Sequence, residues 1–461
     1  MRLRSTRQPP EDATTLPLAE ALTHGLPDDG GLFLPVTWPS LPPPPDECDP
    51  SAADTAAWAA PLLLGEGARE PEDMAGATGT GPAGMSWATI ARWALSFPVP
   101  RRPLGAGLGL LELFHGPTLS FKDVGARFLA RALGKVPGGP WTILTATSGD
   151  TGGAVADAVA ESEGLRAVIL FPRGRVSDVQ RRQFTTLGDR ILAVEVEGVF
   201  DDCQSLARQA LGDPTARHRH GLVSANSINP GRLLPQVFYY LHLARLQGWG
   251  RGGPGRQTAV VVPSGNLGNL TAGVLAARAG APLSPLVAAC NRNDALVRFQ
   301  RDGRTRTVPV HPTPSSAMDV GAPSNLERLE ALFGGDVGAL ARGARAFRAE
   351  PDETRETMRW AWNRYGVLLD PHTAVGVAVA RRHLPSRQEM GVTVLATAHP
   401  AKFPEAVQEA TGEIPPLPAG QPGAGVPERA VPLQGGLGAV SYTHLRAHET
   451  ERLISYAVFC L

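Results

Sequence analysis

The chain has 461 residues, with 44 acidic side chains against 44 Lys and Arg, so its formal net charge is zero. This length predicts two or three domains, and the neutral balance gives no reason to expect nucleic acid or an anionic membrane as a partner. No uncharged apolar run reaches the ~20 residues that span a bilayer. The N-terminus lacks the apolar core of a signal peptide, and the four cysteines form no C-x-x-C pair. We therefore expect a soluble, cytoplasmic α/β protein without a metal site.

Residues 1–98 are the least regular part of the chain. They contain a turn at Asp29–Leu32 and a proline cluster at Pro42–Pro45, which are typical of connecting loops. We predict a loop-rich N-terminal region with helices near Pro17–Gly25 and Ser86–Ser96.

From Leu110 onward, short apolar runs alternate with amphipathic segments. The predicted strands are Leu110–Phe114, Trp141–Thr145, Ala167–Phe171, Ile191–Val196, Ala259–Val262, Leu286–Cys290 and Val392–Ala396. The predicted helices are Asp123–Leu133, Thr151–Ser162, Val176–Thr186, Asp202–Leu211, Leu234–Leu246, Leu270–Arg278, Asp294–Gln300, Glu353–Tyr365, Thr373–His383 and Pro404–Ala410. This alternation predicts parallel sheets covered on both faces, with ligands at the carboxyl ends of the strands.

The C-terminal part changes in character. Residues 412–439 are rich in proline and glycine and are predicted to be linker-like. The stretch Val440–Thr450 matches the translation of a transposase sequencing adapter, so we expect residues 440–461 to be an adapter-derived tail in place of the natural C-terminus. The central region, 99–411, is predicted to hold two α/β subdomains, the smaller at residues 135–225.

Lysine is scarce in this chain. It occurs at Lys122, Lys135 and Lys402, and arginine supplies all the other Lys/Arg positions. Arginine stays protonated, whereas a desolvated lysine can condense with an aldehyde to form a Schiff base. Lys122 lies in the segment His115–Asp123, at the predicted mouth of a helix, where the helix dipole and apolar neighbours lower an amine pKa. A lysine at a helix start is also commonly a plain surface residue, so this segment alone leaves both interpretations open.

A second motif, Pro263–Thr271, comes directly after a predicted strand and opens a helix. Its sequence, PSGNLGNLT, lets successive backbone N–H groups converge on an anion. It does not match G-x-x-x-x-G-K-[ST], the motif that binds nucleoside triphosphates, or G-x-G-x-x-G, the motif that binds dinucleotides. The expected ligand is therefore a different molecule that carries a phosphate group. An ordinary strand-to-helix turn remains the alternative.

Two further loops come directly after predicted strands. In Thr147–Gly153, Ser148 and Thr151 are candidate hydroxyl donors to a substrate carboxylate, although these residue types also serve as helix caps. In Thr397–Glu405, the hydroxyl of Thr397 is a candidate partner for a heterocycle nitrogen, and Lys402 for a substrate anion, with a cap and a surface lysine as the alternative. Together, the four motifs offer residues that could bind an aldehyde, a phosphate and a pyridine nitrogen. These are the three functional groups by which proteins bind pyridoxal 5′-phosphate.

These residues resemble the threonine synthases of the bacterial and fungal class. The motifs that carry the resemblance are HGPTLSFKD, TSGDTGGA, NSIN, PSGNLGNLTAG, NRND, SSAMDV and TAHPAKFPEAV. The resemblance extends from about residue 3 to about residue 411. The chain departs from the family at Leu267, where an aromatic residue is usual.

The resemblance implies a fold-type II enzyme, similar to the tryptophan synthase β chain, with two open parallel-sheet domains and an N-terminal region. It implies conversion of O-phospho-L-homoserine and water to L-threonine and phosphate, the last step of threonine biosynthesis. Lys122 would carry the cofactor and act in catalysis, and Thr397 would face the pyridine nitrogen. The remaining implied contacts are Gly265, Asn266, Leu267, Gly268 and Asn269 for the cofactor phosphate, and Ser148, Asp150, Thr151, Lys402 and Arg292 for the substrate.

Two alternatives remain at this stage. One is a related phospho-lyase or a serine/threonine dehydratase that yields a 2-oxo acid, because the motifs barely encode the steps after elimination. The other is a non-catalytic binding protein with the same fold, inactivated by loss of its C-terminus. The sequence is compatible with a monomer or a homodimer. Metal chemistry is poorly supported, since H-E-x-x-H is absent and the pair His218 and His220 is expected in a loop.

Overall fold

The computed structural model describes residues 1–9, 13–46, 50–65, 85–105, 107–134, 136–251, 255–384, 391–421 and 426–433. Lys135, residues 434–439 of the predicted linker-like segment and the whole expected tail at 440–461 lie outside the described residues.

Within its described residues, the N-terminal region contains a small antiparallel sheet and three helices. Its elements are β1 (Arg2–Ser5), β2 (Leu16–Pro17), α1 (Leu18–His24), β3 (Phe33–Pro35), α2 (Ala52–Leu64) and α3 (Trp87–Ala94), and the strand order is β2-β1-β3. Helix α2 was not predicted because its alanine-rich sequence shows little amphipathic periodicity. Its start nevertheless carries a capping box, in which Ser51 and Asp54 satisfy each other's backbone N–H groups.

The rest of the chain alternates strands and helices. The first part holds β4 (Arg101–Gly105), β5 (Leu108–Glu112), α4 (Lys122–Leu133), β6 (Trp141–Ala146), α5 (Asp150–Ala160), β7 (Leu165–Pro172), α6 (Asp178–Thr185), β8 (Ile191–Val196), α7 (Phe200–Gly212), α8 (Pro214–His220), β9 (Leu222–Ser224), α9 (Pro230–Leu233), α10 (Val237–Leu246) and β10 (Thr258–Pro263). The second part holds α11 (Gly268–Arg278), β11 (Leu283–Cys290), α12 (Ala295–Asp302), α13 (Leu326–Leu332), α14 (Val337–Gly343), β12 (Ala344–Arg348), α15 (Pro351–Tyr365), α16 (Pro371–His383), β13 (Gly391–Ala396), α17 (Pro404–Thr411) and β14 (Val431–Pro432).

A six-stranded sheet forms the larger layer, in the order β12-β11-β10-β13-β5-β4. Its first five strands are parallel, and β4 is antiparallel at the edge. Every residue of β10 is buried, as expected for a parallel strand covered on both faces. One hydrophobic cluster includes α10 and α11 on one side, and another includes α15 and α16 on the other.

A five-stranded parallel sheet forms the smaller layer, in the order β14-β8-β7-β6-β9. Its outermost strand, β14, comes from the Pro/Gly-rich C-terminal segment. In that segment Glu428 also forms salt bridges of 2.8 and 2.9 Å with Arg181 and Arg182 of α6. Residues 426–433 therefore pack against the small sheet and its helix α6.

All seven predicted strands are present, with ends that differ by a few residues. The strands β9 and β12 were not predicted, because β9 spans three residues and β12 lacks a clean alternation of apolar side chains. The expectation that His218 and His220 lie in a loop was wrong. Both belong to α8, whose N-terminus is capped by the Asp213 side chain and begins with a proline.

Candidate active site

A cavity lies where loops from the carboxyl ends of strands in both sheets meet. Lys122 reaches it from the segment after β5, Asp150 from the loop after β6, and Thr397 from the end of β13. The loop Gly265–Asn269 after β10 forms another wall. The structure therefore brings together residues from four separate sequence motifs, at the place where open parallel sheets bind ligands.

The segment that leads to Lys122 is held by its backbone. Phe121 donates its N–H to the carbonyl of Thr397 at 2.9 Å, and His399 donates its N–H to the carbonyl of Leu119 at 3.0 Å. Leu119 has φ = 62°, a left-handed conformation that is unusual for a leucine. Such strain is tolerated where surrounding contacts determine the backbone. The lysine segment and the Thr397 segment are thus built as one unit.

Lys122 begins α4, and its Nζ lies 3.6 Å from Oδ2 of Asp150. Burial lowers the pKa of the Lys122 amine; Asp150 opposes this shift, while the positive charges of Lys402 and Arg232 add to it. A lowered amine pKa raises the fraction of free base, which is the form that reacts with an aldehyde. The environment of Lys122 is therefore suited to a covalent amine.

Asp150 is a buried anion between two lysines. Its Oδ1 lies 3.0 Å from Nζ of Lys402 and accepts a 2.8 Å hydrogen bond from Nε2 of Gln180. Burial acts to raise the pKa of Asp150, but Lys402, Lys122 and His372 together lower it below its usual range. Asp150 therefore stays ionised and holds the Lys122 ammonium close to the cavity.

Lys402 does not line the cavity, which corrects the expectation that it contacts a substrate anion. Its side chain is completely buried, and Nζ donates to the carbonyl of Thr118 at 2.6 Å and to Oε1 of Gln183 at 2.9 Å. With Asp150 as a third partner, the ammonium is saturated inside the protein. Its place is behind the lysine segment, as a support.

Arg292 is the second expected substrate contact that the structure does not bring to the cavity. Its side chain is exposed and is absent from the cavity wall. The inward-facing residues of the same turn are Asn291 and Asn293, which bind the Asp319 carboxylate at 2.7 and 2.9 Å. Successive side chains in this turn point in opposite directions, so Arg292, between Asn291 and Asn293, points into solvent.

The loop Gly265–Asn269 presents backbone N–H groups at the start of α11. The first N–H groups of a helix have no partner within the helix, and Leu267, at φ = 61°, turns the chain into it. A Cβ atom on Gly265 would lie 2.8 Å from Cα of Met318, so the backbone approaches too closely for any side chain there. The side chain of Asn266 is occupied by Ser227 and by the N–H of Ser324. Asn266 can therefore offer only its main chain.

Asn269 carries an unsatisfied donor at this loop. Its Oδ1 accepts hydrogen bonds from the hydroxyls of Tyr239 and Tyr240 at 2.7 and 2.8 Å. Its Nδ2 is buried and has no partner among the described residues. Buried donors without partners are rare in folded proteins, so this atom indicates that an acceptor binds here.

In the loop after β6, Thr147 caps the start of α5. Its hydroxyl accepts hydrogen bonds from the N–H groups of Gly149 and Gly152 at 2.9 and 2.8 Å. The capping role that Ser148 and Thr151 could have had is therefore filled by their neighbour. Both of these residues line the cavity.

Arg232 is a cavity residue that sequence reasoning missed. It is 5% exposed, its guanidinium donates to the carbonyl of Ala225, and its Nε is buried without a hydrogen-bond partner among the described residues, none of whose carboxylates forms a salt bridge with it. Burial lowers the pKa of its guanidinium to about 10, so it remains a cation at neutral pH. It lies three residues after the NSIN motif at Asn226–Asn229, and the high cost of a buried unpaired cation indicates an anionic ligand.

The described residues contain no group of three or more His, Cys, Asp and Glu side chains placed to hold a metal ion. Within the same residues, every helix is too short or too polar to cross a membrane.

The fold and the site define a pyridoxal-phosphate-dependent enzyme of fold type II. The family model described as "Pyridoxal-phosphate dependent enzyme" matches residues 100–397, and the model "Threonine synthase, C-terminal" matches residues 373–430. The chain belongs to the threonine synthase family. The C-terminal match extends the family resemblance beyond residue 411, into the segment that carries Glu428.

Relatives and solved structures agree with this assignment. Threonine synthase from Escherichia coli is 44% identical over 329 residues, which are 71% of this chain and 75% of that protein. The enzyme from Haemophilus influenzae is 39% identical over 91% of this chain and 93% of its own. The crystal structure of PLP-bound threonine synthase from Brucella melitensis has a TM-score of 0.81 at 33% identity and covers 99% of both chains.

Proposed function

We propose that this chain converts O-phospho-L-homoserine and water to L-threonine and phosphate, using pyridoxal 5′-phosphate. Curated relatives at 39–44% identity bear the name threonine synthase, which favours this activity over a dehydratase or a non-catalytic binding protein. The observation that carries the proposal is the placement of buried Lys122 in one cavity with the loop Gly265–Asn269 and with Thr397.

The residues present fit the cofactor. The N–H groups of Gly265, Asn266, Leu267, Gly268 and Asn269, together with the unpartnered Nδ2 of Asn269, would hold its phosphate. Nζ of Lys122 would bond its aldehyde carbon, and the Thr397 hydroxyl would face its pyridine nitrogen. When bound, pyridoxal phosphate supplies an electron sink that stabilises negative charge at Cα of an amino acid.

Lys122 moves the protons of the reaction in this proposal. After the substrate amine takes its place, Nζ accepts a proton from Cα and releases it, and it can then accept a second proton from Cβ. It delivers a proton to Cγ once phosphate has left. Burial lowers the pKa of this amine, which raises the fraction that is free base. Asp150, held by Lys402 at 3.0 Å, keeps Nζ in position for each of these transfers.

Two groups of residues would bind the ends of the substrate. Ser148 and Thr151 would donate hydroxyl hydrogen bonds to its carboxylate. Asp150 has a positioning role instead, because an ionised aspartate repels a carboxylate. Arg232 would bind the substrate phosphate, since it is the buried cation in the cavity wall without a carboxylate partner among the described residues.

At the level of the whole chain, we propose a division into an N-terminal region at 1–98, a catalytic region at 99–411 and a C-terminal segment at 412–439. The five-stranded sheet supports a smaller subdomain near residues 135–225. We also propose that the protein acts in the cytoplasm as a monomer or a homodimer.

Incubation of holoenzyme with O-phospho-L-homoserine tests the reaction directly. We expect equal amounts of L-threonine and phosphate, and we expect neither from Lys122→Ala. Phosphate accompanied by 2-oxobutyrate would show a phospho-lyase. A protein that takes up the coenzyme without releasing phosphate would support the non-catalytic alternative.

A further inference from the structure

Two adjacent tyrosines of helix α10 converge on the side chain of Asn269 inside the protein. Tyr239 and Tyr240 are completely buried, and their rings lie 5.0 Å apart. The Tyr239 hydroxyl donates to Oδ1 of Asn269 at 2.7 Å, and the Tyr240 hydroxyl donates to the same atom at 2.8 Å. An amide oxygen has two lone pairs, so the two hydroxyls fill the acceptor capacity of Oδ1.

Each hydroxyl also has a second acceptor at a longer distance. For Tyr239 this acceptor is Oε1 of Gln236 at 3.0 Å, and for Tyr240 it is the main-chain carbonyl of Asn269 at 2.9 Å. A hydroxyl has one proton to donate, and the shorter contact of each tyrosine is the one to Oδ1. Burial raises the pKa of both hydroxyls well above the ordinary value for tyrosine. Both therefore keep their proton at neutral pH and remain donors.

The other end of the Asn269 amide faces the cavity without a partner. Asn269 lines the cavity wall, and its Nδ2 is buried and unpaired among the described residues. A phosphate dianion only accepts hydrogen bonds, so it binds the amide through Nδ2. An amide turned the other way round would aim Oδ1 at the phosphate and would leave two acceptors in contact. Donors on Oδ1 therefore favour the orientation that suits a phosphate.

Helix α11 leaves room for this contact at Gly273, one turn after Asn269. A Cβ atom on Gly273 would lie 2.9 Å from two ring atoms of Tyr240 and 3.1 Å from its hydroxyl oxygen. The close approach of the tyrosine to α11 thus requires a glycine at this position. The Tyr240 hydroxyl is held beside Asn269 by packing as well as by its hydrogen bonds.

We propose that Tyr239 and Tyr240 are positioning residues for the cofactor phosphate, an inference that rests on the proposed role of the loop Gly265–Asn269 in binding that phosphate. Their hydroxyls hold Oδ1 of Asn269 and so direct Nδ2 to the phosphate. Neither tyrosine lines the cavity, so both act through Asn269. The loop then has one side-chain donor of fixed direction in addition to its main-chain N–H groups.

The test compares binding of pyridoxal 5′-phosphate with binding of pyridoxal, which has the same ring and aldehyde but no phosphate. Full-length protein freed of coenzyme is titrated with each compound, and the absorbance of the Lys122 adduct gives the two dissociation constants. The variant carries Tyr239→Phe and Tyr240→Phe together. The control is Tyr365→Phe, because Tyr365 is exposed at the end of α15 and lies outside the cavity wall.

We expect the double Phe variant to bind pyridoxal 5′-phosphate about tenfold more weakly, the lower end for a hydrogen bond to a charged group. Its affinity for pyridoxal should equal that of the wild type. Unchanged affinity for pyridoxal 5′-phosphate would overturn the inference. An equal loss for both compounds would also overturn it, because that result indicates a structural role of the hydroxyls.

A second set of variants shows whether the tyrosines act through Asn269. Asn269→Ala should weaken binding of pyridoxal 5′-phosphate by about tenfold or more. Addition of both Phe substitutions to Asn269→Ala should then change the affinity by less than about twofold, because the contact they serve is already lost. The same loss from the Phe substitutions with and without Asn269 would contradict the proposed route.

If the double Phe variant does not fold, Asn269→Asp tests the same orientation. It keeps an oxygen for the two hydroxyls and places a second oxygen where Nδ2 was. At pH 8 we expect it to bind pyridoxal 5′-phosphate more weakly than Asn269→Ala does, because its carboxylate repels the phosphate. Binding as tight as that of Asn269→Ala would overturn the inference. These measurements involve no turnover, so wild-type protein that binds the coenzyme but makes no threonine contradicts only the proposed reaction.

Discussion

Nζ of Lys402 and Oδ1 of Asp150 lie 3.0 Å apart, and both side chains are almost completely buried. Asp150 is in turn 3.6 Å from Lys122. Lys402, which is distant from Lys122 in the sequence, therefore stabilises the negative charge of Asp150 beside the Lys122 amine, although Lys402 does not line the cavity. The same ammonium donates to the carbonyl of Thr118, in the segment that leads to Lys122.

Replacement of Lys402 by methionine should strongly destabilise the fold. The change removes the charge that compensates buried Asp150 and leaves the carbonyl of Thr118 without its donor. Loss of one partner from a buried ion pair costs about 3–5 kcal/mol, measurable as the free energy of unfolding in urea. Arg429→Met is the matched control, because its salt bridge with Asp189 is exposed and such pairs contribute about 0–1 kcal/mol. Equal effects of the two substitutions would contradict the supporting role of Lys402.

The fold could be predicted largely from the sequence because parallel strands are short, continuous apolar runs bounded by turns. The motifs could be placed as well, since each comes after such a run and the carboxyl ends of parallel strands share an edge. Which residues of a motif face the ligand could not be predicted. Lys402 and Arg292 lie in the expected loops, yet one points into the protein and the other into solvent.

Some site residues could not be predicted from the sequence, because their place in the cavity depends on contacts with residues that are distant along the chain. His372 lies in a helix whose first three turns are buried, so its pattern resembles a core segment. Its orientation depends on the hydrogen bond between its ring Nδ1 and Asp370, and its place in the cavity wall depends on loops from other elements. The sequence did contain one indication that Arg232 belongs to the site, because it is a cation three residues after Asn229 in a segment that is otherwise uncharged. Only the structure shows that this cation lacks a carboxylate partner among the described residues.

Lys122 is expected to carry the cofactor covalently. Reduction of the holoenzyme with borohydride should fix the coenzyme to the protein, and mass spectrometry should locate it in a peptide that contains Thr118 to Arg127. A label on Lys402 would contradict the site, because that ammonium is enclosed by protein acceptors. Lys122→Ala should give colourless protein without the label.

Gly265→Ala should weaken cofactor binding. The added Cβ would lie 2.8 Å from a backbone atom of Met318, so the loop must move, and its N–H groups would no longer converge on the phosphate. We expect the dissociation constant for pyridoxal phosphate, measured by fluorescence titration, to rise about tenfold or more, the loss of one to two charge-assisted hydrogen bonds. Gly212→Ala adds a methyl group to open space and should leave the constant unchanged. Unaltered affinity in Gly265→Ala would argue against main-chain binding by this loop.

Arg232→Gln should impair binding of the substrate phosphate. A hydrogen bond to a charged group contributes about 1.5–3 kcal/mol, so we expect KM for O-phospho-L-homoserine to rise roughly ten- to hundredfold. The inhibition constant of inorganic phosphate should rise in parallel, while the colour of the bound coenzyme persists. Arg345→Gln, at an exposed position on β12, is the control. A change in kcat alone, with KM preserved, would contradict this assignment.

Asp157→Asn should remove a pH dependence of stability. Burial, with the negative charges of Asp123 and Glu161, raises the pKa of Asp157 to about 7, and Arg127, 3.9 Å away, offsets this only in part. Because the folded protein binds this proton more tightly than the unfolded chain, the carboxyl group costs stability as pH rises from about 4 to about 7. The slope is at most about 1.4 kcal/mol per pH unit. Urea unfolding at pH 5 and pH 8 should show Asp157→Asn more stable than wild type at pH 8, with a smaller difference at pH 5. A variant less stable than wild type at pH 8 would show that the ionised carboxylate contributes a favourable contact with Arg127.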